Sequence, residues 1–477
     1  MDKQIIKRII IEKQVAIPNY KLTHRNFLFG KKSNYILVGL RRAGKSYLMY
    51  QDIQDRISTG EITSQHVLFI NFEDERLASI KSEELGIILD SYMELYPDKQ
   101  PLIYLDEIQN VEGWEKFARR LADSQYRTMI TGSNAKMLSN EMYSTLGGRY
   151  IPKEIFPFSF AEYLAYHQVK LDKNWEYNQQ TKSEVANLFD SYFYEGGIAE
   201  SFEQPDKREY LNALYQKILI GDIVERNSIR NPRVFRFLAK KLADSVMQPS
   251  SLTRLQHLVK STGDKISVPA LKDYLEYMQD AYLFFPIPNL VSPMTEQATL
   301  QKRYVADNGI LNLFLFQGET KLLENMVAIE LNRRYRNTSE ETLLYYFNKN
   351  IEIDFCIPSE QLAIQVAFNL NDDEKYEREV GGLLKFLKAF KGYSGYIITR
   401  DYQATIEEDG YTIEVIPIWK WLLKAHCPAD VPPLTSRRAL SEQASGIDRI
   451  SSGHSLPDLR ATSAQISFTN LGVVPYI

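Results

Sequence analysis

Two cysteines in 477 residues, Cys356 and Cys427, exclude a disulfide framework, and neither stands at the spacing of a metal site. A reducing compartment is the easier reading, so a cytoplasmic location is expected. Long apolar runs are also missing. Residues 5–11 are apolar but broken by Lys7 and Arg8, too short for a signal peptide or a membrane span. No membrane partner is expected. Neither sign of charge dominates: 57 Lys and Arg stand against 61 Asp and Glu, a net charge of -4. No global basic field therefore advertises nucleic-acid binding, although a local basic face would be compatible with it. What remains is an ordinary globular composition, 44% apolar and 25% charged, in a chain long enough for two or three domains.

The chain is organised around Gly39-Leu40-Arg41-Arg42-Ala43-Gly44-Lys45-Ser46, which fits G-x-x-x-x-G-K-[ST] at every fixed position. The apolar run at 35–38 before it reads as a buried strand, and residues 47–53, opening with Tyr47, have helical spacing. Glycines let backbone N–H groups turn around phosphate oxygens, and the following helix adds its positive dipole end. Residues 39–47 are therefore the expected cradle for a nucleoside triphosphate. Lys45 is expected to reach the β- and γ-phosphates, and the Ser46 hydroxyl to complete the Mg2+ shell. Further strands at 66–72, 101–105 and 127–131 alternate with helices, which predicts an α/β doubly wound parallel sheet. Ligand sites in such sheets gather at the C-terminal strand ends. Asp106-Glu107 closes the third strand: Asp106 is expected to hold Mg2+ through water and Glu107 to polarise the attacking water. Thr131-Gly132-Ser133-Asn134, at the next strand end, is expected to put a polar side chain level with the γ-phosphate. Arg149 is the candidate arginine finger, with Arg41, Arg42, Arg119 and Arg120 competing for that role.

Beyond Pro157-Phe158-Ser159-Phe160 the pattern turns helical. Residues 251–286 read as helix, turn, helix and an apolar run, similar to a winged helix. The second helix mixes Lys272 with Asp273 and Glu276, a poor composition for entering a major groove. From Lys302 a smaller α/β block is expected, with a helix over 322–335, strands at 343–347, 351–355, 362–367 and 395–399, and a helix over 373–390. Glu324 or Glu330 with Asp354 would suit a metal-dependent nuclease, but Gln365-Val366-Ala367 supplies neither the further carboxylate nor the lysine. After about residue 425, Pro, Ser, Arg and Ala replace the earlier composition, and a disordered tail is expected. The expected division is 20–165 for the ATPase unit, 166–300 for the helical and winged-helix-like region, 301–424 for the last α/β unit, and 425–477 for the tail.

The 39–46 loop, Leu105-Asp106-Glu107-Ile108-Gln109, Gly113-Trp114, Thr131-Gly132-Ser133, Gly148-Arg149, Leu323-Glu324-Asn325 and Ile353-Asp354-Phe355 together resemble bacterial and archaeal AAA-type ATPases with a C-terminal restriction-endonuclease-like, PD-(D/E)XK-like domain. The resemblance implies an AAA-type P-loop NTPase core, ATP as the nucleotide, a winged-helix-like middle, and Ser133 or Asn134 in the sensor position. Relatives with Glu-Val-Lys on the nuclease-like strand keep a metal site, and Gln365-Val366-Ala367 departs from that pattern. The expected activity is Mg2+-dependent hydrolysis of ATP driving a conformational switch, with an inactive nuclease-like domain. An oligomer is expected if Arg149 acts in trans. The alternatives are a nucleotide-gated module that binds DNA or a protein without turnover, and an ATP-driven nuclease.

Overall fold

The computed structural model describes residues 1–138, 144–335 and 343–424, so the tail expected to be disordered lies outside the described residues. The apolar runs of the first unit form β1 (Asn34–Val38), β2 (Val67–Asn71), β3 (Leu102–Asp106) and β4 (Thr128–Gly132). Nearly every side chain in these strands is buried, as a parallel sheet covered on both faces requires. A fifth strand, β5 (Tyr150–Glu154), was not anticipated. Its Pro152, Lys153 and Glu154 erase the apolar signal, which a partly exposed edge strand tolerates. All five strands run parallel in the order β2-β3-β4-β1-β5. This is a P-loop NTPase sheet.

Helices α1 (Lys3–Ala16), α2 (Lys45–Ser58), α3 (Gly86–Leu95) and α4 (Glu115–Asp123) accompany it. Inside, Asp52 of α2 pairs with Arg127 at 2.9 Å and accepts the Tyr104 hydroxyl at 2.6 Å, fixing α2 against β3 and β4. Gln14 of α1 donates to Val67 O at 2.9 Å. The expected lower limit at residue 20 therefore omits a helix that packs on the first sheet.

Helices Phe160–Tyr166, Gln179–Glu195 and Lys207–Lys217 follow, the last running into a π-helical turn at Ile218–Glu225. Ser159 and Glu162 form a reciprocal cap at the first of these, which gives the Pro-Phe-Ser-Phe motif a structural purpose. Then come helix Pro232–Asp244, β6 (Ser250–Ser251), helices Leu252–Lys260 and Val268–Asp280, β7 (Phe284–Pro288) and β8 (Leu300–Val305). The antiparallel sheet β6-β8-β7 closes this middle region. Because β8 pairs with β7 from Gln301 to Val305, the expected boundary between 300 and 301 cuts this sheet. Helix Val268–Asp280 is partly docked: Lys136 lies 3.7 Å from Asp280 and over the Tyr277 ring.

Helix Glu319–Tyr335 leads into β9 (Tyr345–Asn348), β10 (Glu352–Ile357), β11 (Leu362–Ala367), β12 (Ser394–Thr399), β13 (Ala404–Glu408) and β14 (Tyr411–Pro417). They form one mixed sheet, β13-β14-β12-β11-β10-β9. The helix expected over 373–390 carries a π turn at Glu377–Gly381 between Asp373–Tyr376 and Gly382–Ala389. Strands β13 and β14 and the closing helix Ile418–Lys424 were not anticipated. Among the described residues no helix is long and apolar enough to cross a membrane.

Candidate nucleotide-binding site

The loop between β1 and α2 takes backbone conformations its glycines allow. Gly39 has φ 140° and passes so close to β5 that a Cβ would lie 2.2 Å from Ile155 O. Gly44, at φ 93°, caps α2 with no side chain over the first turn, so the helix N–H groups stay available to an anion. Lys45 Nζ donates to Gly39 O and Leu40 O, both at 3.0 Å, and lies 4.0 Å from Glu107. Burial draws this ammonium below its usual pKa range, against the pull of Glu107 and Asp106. A phosphate would supply the anionic partner that the two carbonyls replace only in part.

Asp106 accepts the Ser46 hydroxyl at 2.9 Å and the Thr131 hydroxyl at 2.5 Å, both on Oδ1. Two oxygen ligands suited to a hard cation thus stand together beside the loop, which fits Mg2+. Burial, reinforced by the neighbouring Glu107 charge, pushes Asp106 up to about 6. Since the carboxylate form must bind the cation, protons compete below that value. We expect the Mg2+ needed for half-maximal activity to rise by up to about tenfold per pH unit below pH 6. A Mg2+ titration of phosphate release from pH 5 to 8 measures it, and a flat response would remove Asp106 from the metal shell.

Glu107 sits in the left-handed region, φ 53°, a strained conformation that collects at functional sites. Its N–H donates to Thr131 Oγ1 at 2.9 Å, while its carboxylate accepts from Gln109 and, at 3.3 Å, from Ser133. Ser133 is therefore the sensor candidate facing the site. Asn134 instead accepts the Lys136 N–H at 2.8 Å and caps the turn after β4. Tyr47 points outward, 58% exposed, with its ring on Tyr50. The sequence places Thr131 at a strand end where ligand sites gather but assigns no role to it or to Gln109.

Arg149 is not brought to this site within the chain. It precedes β5 at the end of the sheet opposite the loop, six residues of extended chain or about 20 Å from the level of Gly39. There it pairs with Asp123. Arg41 and Arg42 are closer, and each is held by carboxylates. Arg41 binds Glu73 at 2.7 Å and Asp222 of the π turn at 3.5 Å, and Arg42 binds Glu200 at 3.0 Å. A cleft of about 480 Å3 opens here, lined by Arg41, Glu107, Asn110, Lys217, Asp222 and Arg226. From the other side the buried Arg25 donates to Ala43 O at 3.0 Å and to Glu162 at 2.7 Å, and Glu162 faces Arg333 at 3.6 Å. The loop is thus tied to the helical middle and to helix Glu319–Tyr335.

In the last unit, Asp354 of β10 and Glu324 converge with Lys302 of β8, whereas Glu330 pairs with Arg333 and Arg334. Among the described residues no group of three or more His, Cys, Asp or Glu is arranged to hold a metal.

Residues 31–164 match the family described as an AAA domain, and residues 186–321 match a domain of unknown function. Uncharacterized protein MJ1544 of Methanocaldococcus jannaschii is 34% identical over 438 residues, covering 89% of this chain and 96% of that protein. An uncharacterized protein of Haemophilus influenzae is 30% identical over 402 residues, covering 82% of this chain and 94% of that one. Among solved structures, the Walker-type ATPase PABY2304 of Pyrococcus abyssi is 17% identical, with a TM-score of 0.37, covering 66% of this chain and 95% of that chain.

Proposed function

The chain belongs to the AAA-domain family of P-loop NTPases, with the archaeal and bacterial relatives above, and on that premise we propose that it is a Mg2+-dependent ATPase whose cycle switches the contacts of its phosphate loop. The observation that carries this reading is the meeting of Lys45, Ser46, Asp106, Glu107 and Ser133 at the C-terminal ends of β1, β3 and β4. When bound, Mg2+ would supply positive charge that offsets the charge developing on phosphoryl transfer. Ser46 and Asp106 would hold it, with Thr131 orienting the Asp106 carboxylate. Lys45 would leave Gly39 O and Leu40 O for the β- and γ-phosphates. Glu107 would take the proton of the attacking water, and Ser133, already at its carboxylate, would register the γ-phosphate. The Arg41–Asp222, Arg42–Glu200 and Arg25–Glu162–Arg333 contacts support a switch, because each joins the loop to another region of the chain.

Arg149 would serve a neighbouring copy, so full turnover calls for a homo-oligomer. The nuclease-like last unit is read as inactive, and a DNA or protein partner would dock on the middle or last unit. Hydrolysis measured against protein concentration tests the shared arginine. Turnover per chain should rise with concentration, and Arg149→Ala should lose at least about 10²-fold while still binding ATP. Turnover that is constant per chain and insensitive to Arg149→Ala would remove both the finger and the oligomer.

A further inference from the structure

The lysine that β11 lacks is present in space. Lys302, on β8 of the middle sheet, enters the carboxylate cluster from outside the C-terminal sheet and is only 1% exposed. Its Nζ lies 3.1 Å from Asp354 Oδ1, 3.4 Å from Glu324 Oε1 and 3.7 Å from Glu352 Oε1. We propose that the Lys302 ammonium is the resident cation of the nuclease-like centre, standing where a divalent metal would bind and closing the centre to metal-dependent hydrolysis.

Geometry and hydrogen bonding both carry this. A divalent cation needs oxygen ligands at about 2.0–2.6 Å. The Asp354 and Glu324 oxygens it would use are the same two that flank Nζ, so the ion and the ammonium compete for one position. Two further hydrogen bonds hold these carboxylates in place. Asp354 Oδ2 accepts the Val366 N–H at 3.0 Å, and Glu324 Oε1 also accepts the Tyr304 hydroxyl at 2.7 Å. Gln365, at the position of the third ligand, accepts the Asp354 N–H at 2.8 Å and donates to Glu379 at 2.9 Å. It acts as a bridge between β10 and the π turn. Lys302 also joins β8 to β10 and helix Glu319–Tyr335, so the same charge that excludes metal fastens the middle sheet to the last unit.

The inference rests on the nuclease-like reading of the last unit only for the kind of cation excluded. It does not involve the nucleotide site, so its failure and a failure of ATP turnover would be seen separately. The test counts Mn2+ bound per full-length chain by electron paramagnetic resonance, without nucleotide, in the wild type and Asp354→Asn. Equal counts are expected, and one more Mn2+ in the wild type would overturn the proposal. A second measurement uses Lys302→Ala, whose carboxylates are left without their cation. Its melting temperature should fall by several degrees and recover in millimolar Mn2+, with no recovery in Lys302→Ala/Asp354→Asn. A Mn2+ response no larger than that of the wild type would show that Lys302 does not stand in a cation position. If Lys302→Ala does not fold, the wild-type and Asp354→Asn counts still decide the question.

Discussion

Lys45→Ala is expected to weaken ATP binding by about 10²–10⁴-fold. The ammonium is the one cation buried inside the phosphate loop, and each hydrogen bond from a charged donor contributes about 1.5–3 kcal/mol. Two such bonds to the β- and γ-phosphates amount to about 3–6 kcal/mol, which sets the size of the loss. The fold itself should not suffer. Burial already disfavours this charge, and its present partners are two carbonyls of the same loop, with Glu107 4.0 Å away. The melting temperature without nucleotide is expected to change little, since the burial cost removed with this charge offsets the attraction lost to Glu107 and Asp106. Calorimetric titration with ATP and a thermal scan of the same sample check both halves. Unchanged affinity would mean that the nucleotide lies elsewhere.

Glu107→Gln should separate binding from chemistry. The amide keeps the shape of the side chain and can still meet Gln109 and Ser133, but it cannot take a proton from water. Loss of a positioned general base lowers turnover by about 10²–10⁴-fold. ATP should remain bound and intact, so labelled ATP recovered from the protein after gel filtration is the readout. Recovery of ADP alone at the wild-type rate would take the base role away from Glu107.

Much of this site was legible because its chemistry is local. The phosphate loop fixes residue types at set spacings, and the apolar runs of β1 to β4 are uninterrupted because both sheet faces are covered. Strand β5 escaped notice because an edge strand can carry Pro152, Lys153 and Glu154. Strands β13 and β14 likewise expose one face, so no apolar run marks them. The contacts that join units were out of reach for a different reason. Arg41 meets Asp222, Arg25 meets Glu162, and Lys302 meets Asp354, pairs far apart in the chain. Periodicity carries no information about such pairs. Lys302 shows the consequence: reading along β11 correctly finds no lysine at Ala367, while a neighbouring sheet places one in the cluster.

Steady-state phosphate release from saturating Mg2+ and ATP tests the central claim most directly, with Lys45→Ala and Glu107→Gln run beside the wild type. Many phosphates per wild-type chain, dependent on Mg2+ and lost in both variants, are the predicted result. Tight ATP binding with no more than one phosphate released per chain would contradict it, and would make the chain a nucleotide-held binding module.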